Sequence, residues 1–394
     1  MTGWDGWTPL PRPGARTTVE VLRAPEPPLP APPDRRSPDV VLRPGGRAHV
    51  TFRLHAPRAQ AVALAASGWW QPQRPEACDL SPRPDGWWQG TFDVPDDWEA
   101  SYRFLVHDGG HDGRQEPGWW THGLRDPGAP GRADPLNPHG HGAGRGLASS
   151  ALWLPGAGER PWLAGFGDTD AVPPRLAGHE TETRDDEPRA WWWAPERPAG
   201  EPLPLLVLLD GEAHAERLGT ARVLADAVAA GVLPPVAVVL VASGPDRAGV
   251  LGVPGGVARW VGEVLVPRVR REGVGGRGIE ADPRRVVVAG SSFGGLSALF
   301  AAARFPDAVG AAVAQSPSLW RYPAGALVEP LARVAPRVRL RLQAGRYEGP
   351  AASEELARAL VLRGADVSSQ VVTGGHDWAW WVPRTVEAVA DLLA

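Results

Sequence analysis

The chain has 394 residues, a net charge of −4 and one cysteine, Cys78. That length exceeds one ordinary core, so two domains are expected, and a lone cysteine excludes an intramolecular disulfide or a cysteine-based metal cluster. A near-neutral balance without a long basic run excludes an electrostatic nucleic-acid footprint. All 41 basic residues are arginine and Ile279 is the only isoleucine, a bias that genome composition explains. Its physical consequence is that every cation here is a planar fork suited to carboxylates and oxygen-rich anions.

In chain order, residues 1–44 are dense in proline and arginine and are expected to be extended or disordered. The start has neither the basic n-region nor the apolar stretch of a signal peptide, and no run approaches the roughly 18 apolar residues of a membrane helix. A cytoplasmic protein without membrane contact is the expectation. Residues 45–155 carry short alternating runs at 49–54, 61–64, 87–94 and 100–106, separated by Gly, Pro and Asp. That pattern predicts an antiparallel β-sandwich of immunoglobulin-like type. A glycine- and histidine-rich stretch near 107–146 interrupts it. Asp108, His111, Asp112, His139 and His141 have ligand chemistry, yet they sit in loop-like sequence without zinc spacing, so no metal is expected.

Residues 156–175 read as a linker, and residues 176–394 as an α/β unit. Near-continuous apolar strands at 203–209, 236–241, 286–289, 309–314, 338–342 and 369–372 alternate with amphipathic helices at 220–230, 257–272 and 353–363. Such strands belong in a parallel sheet covered on both faces.

The third of these strands runs into Gly290-Ser291-Ser292-Phe293-Gly294 and then a helical segment. Strand, sharp turn and helix around a central serine make a nucleophile elbow of α/β-hydrolase type, with Ser292 as nucleophile. A serine hydroxyl needs a base, and His376, on a glycine-flanked loop after the last strand, is the only histidine beyond Ser292. Glu348, after the preceding strand, stands where the acid belongs, with Asp377 as rival. The oxyanion would be held by the N–H of Phe293 and by that of Gly211 or Glu212, in the loop after 203–209. Trp320 and Trp381 are candidate pocket walls. No cofactor is required by this chemistry.

Several of these stretches resemble the enterochelin (enterobactin) esterase family. They are residues 290–299, Leu208-Leu209-Asp210-Gly211-Glu212, Ala314-Gln315-Ser316 and Gly374-Gly375-His376-Asp377. The N-terminal half shares Ala133-Asp134-Pro135-Leu136-Asn137, Gly144-Arg145-Gly146, Ser150-Ala151-Leu152 and the Trp-x-x-x-Tyr-x-Phe of residues 98–104. The resemblance implies cytoplasmic hydrolysis of the tri-serine lactone of a ferric catecholate siderophore, iron entering only as part of the substrate. It carries over Ser292 and His376, favours Glu348, and marks Arg247 as substrate-binding, which suits a trianionic ligand. The family's glutamate three residues after that arginine is missing, as is the asparagine that follows it. Val382 replaces an arginine. These changes leave the reaction type intact and the siderophore open. The alternatives are a feruloyl or acetyl carbohydrate esterase with a carbohydrate-binding β-domain, and a siderophore-binding protein without turnover.

Overall fold

The structure, a computed structural model, describes residues 10, 19–69, 73–107, 131–142, 148–170, 173, 188–195, 201–323 and 325–394. Its N-terminal half holds two antiparallel sheets. Strands β1 (Asp39–Arg43), β2 (Arg47–His55), β5 (Trp87–Pro95) and β4 (Ser81–Pro82) form one, in that order. The other runs β3 (Ala61–Ala66), β6 (Glu99–His107), β9 (Ala148–Trp153) and β8 (Gly140–Gly142), with β7 (Gly131–Arg132) also on β6. Side chains of period two fill the space between the sheets. Phe52 packs edge-on against Phe92 of its own sheet and Tyr102 of the other, with ring centroids 5.9 and 4.7 Å apart. The proline-rich segment from residue 19 is extended and lies along β5, with the Asp93 N–H donating to the Leu22 carbonyl at 3.0 Å.

The C-terminal half is one seven-stranded sheet in the order β10-β12-β11-β13-β14-β15-β16. Its members are β10 (Ala190–Trp193), β11 (Leu205–Leu209), β12 (Ala237–Val241), β13 (Val286–Ser291), β14 (Ala311–Gln315), β15 (Arg339–Gly345) and β16 (Asp366–Val372). All neighbours are parallel except β10, which runs antiparallel to β12. Alternation along β11 shows why both faces must be covered. Leu205, Val207 and Leu209 join a cluster with Leu296 and Leu299 of the helix Phe293–Arg304. Leu206 and Leu208 join another with Val382, Val386 and Val389 of the C-terminal helix Trp378–Leu393. The α/β class expected from the alternating pattern is the class observed, and the β-rich unit precedes it.

Several elements depart from the expected pattern, among them β1, a paired strand inside the segment 1–44 expected to be extended or disordered, and the C-terminal helix. The stretch after β11, expected as a loop, is a short helix, Gly211–Glu216. A further short helix covers Arg247–Leu251, capped by the Asp246 carboxylate, which accepts from the Gly249 N–H. The edge strand β10 was hidden because Ala190-Trp191-Trp192-Trp193 is too short to show a period.

One buried ionic cluster joins the two halves. Glu99 of β6 is fully buried and accepts from Arg160 Nη1 at 2.9 Å and Arg384 Nε at 3.0 Å. Glu387, one turn along the C-terminal helix from Arg384, accepts from both arginines as well. Burial pushes the Glu99 carboxyl above its usual range, and the two guanidinium groups oppose that. Removing the carboxylate would leave Arg160 and Arg384 facing each other with half their charge partners gone. Glu99→Ala is therefore expected to cost about 3–5 kcal/mol of stability, measured by denaturant unfolding of the intact chain.

Candidate active site

The carboxyl ends of β11, β13, β14, β15 and β16 point the same way, and all the predicted site residues but Arg247 and Trp381 follow directly from them. A parallel sheet delivers its exit loops to one crevice, which is where α/β folds bind ligands. Ser292 is the residue between β13 and the helix Phe293–Arg304, with φ 60° and ψ −118°, a conformation that L-residues rarely adopt. Glycines make the turn possible. A Cβ on Gly290 would lie 2.6 Å from the Gly294 carbonyl carbon, and one on Gly295 would lie 2.8 Å from the Gln315 oxygen. Gly294 is less constrained, its Cβ meeting Asp210 Oδ2 at 3.2 Å.

The strained turn is held from both sides. Ser292 N donates to the Gln315 carbonyl at 2.8 Å, and Ser318 N donates to the Ser292 carbonyl at 3.1 Å. Beneath it the Gln315 amide makes four hydrogen bonds. Its oxygen accepts from Ser291 Oγ and Thr385 Oγ1, each at 3.0 Å, and its nitrogen donates to Gln343 Oε1 and the Trp381 carbonyl, each at 2.8 Å. Gln343 passes the pattern on, donating to Gln370 Oε1 at 3.1 Å. The three glutamines occupy one register across β14, β15 and β16.

His376 Nδ1 donates to Glu348 Oε2 at 2.5 Å. The other oxygen of Glu348 accepts from Gly345 N at 2.6 Å and from Ser316 Oγ. A carboxylate satisfied in this way is fixed in place and fixes the imidazole tautomer, leaving Nε2 for proton transfer. The rival acid is turned away from the histidine: Asp377 accepts from Ser101 Oγ at 2.6 Å, from Ser101 N, and from Ala379 N at 3.2 Å. Among the described residues no hydrogen bond joins Ser292 Oγ to the imidazole; Oγ lies 3.4 Å from Ser318 Oγ. Catalytic hydrogen bonds of this kind commonly tighten only around substrate.

Two first turns of helices offer backbone donors. Phe293 opens the helix behind Ser292, and Gly211 and Glu212 open the helix after β11. Asp210 O already accepts from Ala213 N and His214 N, which leaves the Gly211 and Glu212 N–H groups without a bond among the described residues. Glycine is required at 211, where a Cβ would come within 2.5 Å of the β12 backbone. The Glu212 carboxylate is tied down by Ser243 N and Ser243 Oγ, at 3.0 and 2.6 Å.

Two residues expected to touch substrate make firm contacts within the protein. Arg247 is paired in bidentate fashion with Asp210, Nε to Oδ1 at 2.5 Å and Nη2 to Oδ2 at 2.7 Å, and Nη2 also donates to the Ser291 carbonyl at 3.1 Å. The pair braces the elbow against the β11 exit, and the Arg247 side chain stays 35% exposed. Trp381 is only 5 % exposed and packs edge-on against the His376 ring, with its Nε1 donating to Ser316 Oγ at 3.0 Å. It supports the histidine and the Glu348 partner Ser316 rather than lining a pocket. Trp320 is half-buried beside Phe293, ring centroids 5.7 Å apart, on the loop after β14. Sequence reasoning missed Asp210, Gln315, Ser316 and Ser101, whose importance lies in contacts between distant segments.

His139 and His141 do not come together as ligands. His141 Nε2 lies 2.8 Å from Ser101 Oγ, and His139 packs against the Trp153 ring. Asp108, His111 and Asp112 lie outside the described residues. Among the described residues no group of three or more His, Cys, Asp or Glu side chains could hold a metal ion, and no helix is long and apolar enough to cross a membrane.

Comparison with known proteins agrees with this architecture. Residues 184–392 match the family described as "Putative esterase", and residues 50–163 match "Enterochelin esterase, N-terminal". The iron(III) enterobactin esterase of Escherichia coli O6:H1 is 30% identical over 325 residues, covering 77% of this chain and 79% of that protein. This chain belongs to the enterochelin esterase family. Another relative, the iron(III) salmochelin esterase of the same strain, is 29% identical over 286 residues, 66% of this chain and 67% of its own. The crystal structure of the enterobactin esterase from Shigella flexneri in the presence of enterobactin superposes with a TM-score of 0.73 at 26% identity. That match covers 91% of this chain and 96% of the other. Membership in the enterochelin esterase family makes the chain a carboxylic ester hydrolase.

Near the oxyanion loop, His214 is buried, bonded to Thr220 Oγ1 at 2.9 Å and edge-on to Trp378. Burial lowers its pKa from 6.5 to about 4. The unfolded chain therefore takes up this proton first, and the stability that neutral His214 contributes is lost as pH falls from about 6.5 towards 4, about 3 kcal/mol in all. Thermal unfolding between pH 7 and pH 4.5 should show a steeper loss for wild type than for His214→Gln.

Proposed function

We propose that this esterase hydrolyses the ester bonds of a catecholate siderophore built on a tri-serine lactone, as the ferric complex or free ligand, and that it does so in the cytoplasm. The observation that carries the reading is the His376–Glu348 pair, set on the exit loops beside the strained Ser292 turn. The relatives named for iron(III) enterobactin and salmochelin, which match this chain across both halves, supply the substrate class.

In the proposed reaction Ser292 Oγ attacks an ester carbonyl of the lactone while His376 Nε2 takes its proton. The negative charge that develops on the carbonyl oxygen is held by the Phe293 N–H and by the N–H of Gly211 or Glu212. Glu348 keeps the imidazole oriented and stabilises it once protonated. The tetrahedral centre then expels the serine hydroxyl of the next lactone unit, which leaves with the proton from His376. Water, deprotonated by the same histidine, cleaves the acyl-enzyme and regenerates Ser292. Groups of the chain and one water carry these steps, and iron travels with the substrate. Trp320 is proposed as an aromatic wall for a catechol ring, a role its half-exposed position beside Phe293 suits.

Incubation with ferric and iron-free trilactones, followed by mass spectrometry, should yield linear trimer, dimer or monomer with wild type and none with Ser292→Ala. Glu348→Gln should lower kcat by as much as about 10⁴-fold with KM little changed, because the imidazole loses its orienting acceptor. Intact trilactones in the presence of active wild-type enzyme, with turnover of a feruloyl sugar ester instead, would overturn the substrate assignment.

A further inference from the structure

The loop that carries His376 is built as much by the N-terminal sandwich as by the sheet it leaves. Glu99 N donates to the Thr373 carbonyl at 2.9 Å, and Thr373 Oγ1 donates to Asp97 Oδ2 at 2.9 Å. Gly375 is pressed so closely onto the turn after β3 that a Cβ there would lie 2.4 Å from Gly68 N. A Cβ on Gly374 would lie 2.8 Å from the Glu99 carbonyl. The two glycines before the histidine are therefore fitted to the other domain.

The residue after the histidine makes the strongest of these contacts. Asp377 is buried, and it receives both the N–H and the hydroxyl of Ser101, on β6. A carboxylate only accepts, so the single Ser101 hydroxyl proton goes to Asp377. Ser101 Oγ then has lone pairs left, and the buried His141 of β8, 2.8 Å away, must supply its Nε2–H to them. The order His141 to Ser101 to Asp377 is thus a relay of donors that runs in one direction and ends one residue from His376. Nothing in it reaches Ser292 or the two oxyanion turns.

We propose that Ser101 and His141 are positioning residues for His376, acting through Asp377, so that the sandwich is part of the catalytic apparatus. This rests on the reading of Ser292 and His376 as nucleophile and base. Loss of the Ser101 hydroxyl leaves Asp377 Oδ1 with only the longer bond from Ala379 N, at 3.2 Å, and lets the histidine loop drift. A displacement of about 1 Å at a catalytic group can cost on the order of 10²-fold in rate.

The test uses the intact chain, with p-nitrophenyl acetate and the ferric trilactone as substrates and a fluorophosphonate to label Ser292. Ser101→Ala is expected to lower kcat by roughly 10- to 100-fold on both substrates, with KM within about twofold and labelling slowed in parallel. Ser101→Thr keeps the hydroxyl and should restore kcat. Asp377→Asn should fall with Ser101→Ala, and the double variant should be no worse than the poorer single one, since both remove the same link. Thr51→Val is the stability control. It loses the buried Thr51–Thr91 hydroxyl pair, 2.9 Å apart in the other sheet of the sandwich, and should lower Tm while keeping kcat.

Wild-type kcat in Ser101→Ala, strictly additive losses in the double variant, or an equal kcat loss in Thr51→Val at matched Tm would each overturn the inference. The two readings fail in different ways. Turnover by Ser292→Ala removes the nucleophile assignment and this inference with it, whereas an inactive Ser292→Ala beside an unimpaired Ser101→Ala removes this inference alone.

Discussion

The catalytic end of this molecule depends on one buried amide. Gln315 has two donors and two acceptors, and all four are used, two on the elbow strand and C-terminal helix hydroxyls and two on the neighbouring strand and helix carbonyl. A buried polar group is stabilising only when it is fully paired, and a partly paired one is costlier than none. The arrangement therefore admits one relative placement of β13, β14, β15 and the C-terminal helix. Ser292, Glu348 and His376 are mounted on those elements or on the loops between them, so their spacing follows from the amide beneath them. The network is uncharged, which lets it sit in the sheet without the desolvation cost that an ion pair would bring.

Charge is used elsewhere, where two surfaces must be held in register. The absence of lysine means that each such junction is an arginine fork. Arg384 and Arg160 grip Glu99 between the halves, Arg247 grips Asp210 behind the elbow, and Arg53, almost fully buried, donates to Gln89 Oε1, the Arg36 carbonyl and Asp39 inside the sandwich. A guanidinium can bind several acceptors in one plane and is less strongly hydrated than an ammonium, so partial burial is tolerable for it. What composition shows as a bias becomes, in the fold, a common joint.

Much of this was legible in the chain before folding. The elbow, the position of His376 and the position of Glu348 depend on local sequence and on strand order, both of which a linear reading preserves. The parallel sheet was legible because its central strands, β11, β12, β13 and β14, are almost continuously apolar. Residues whose meaning lies in a distant partner were misread or passed over. The pairing of Arg247 with Asp210 was passed over because the two lie 37 positions apart in the chain. Ser101 and Asp377 are 276 positions apart, and although each lies inside a motif-bearing stretch, nothing in either stretch signals that the two are bonded to each other. Trp381 was misplaced for another reason. An aromatic residue near a histidine fits a pocket wall and a packing support equally well, and only burial separates the two.

The backbone bonds on either side of Ser292 have a mechanical consequence. Its N–H is bonded to the last residue of β14 and its carbonyl to Ser318, three residues further along the same exit loop. That loop continues directly into Trp320. The nucleophile turn and the segment that carries Trp320 are therefore tied by a backbone bond two residues before that side chain, so displacing Trp320 would strain the Ser292 turn as well as the loop.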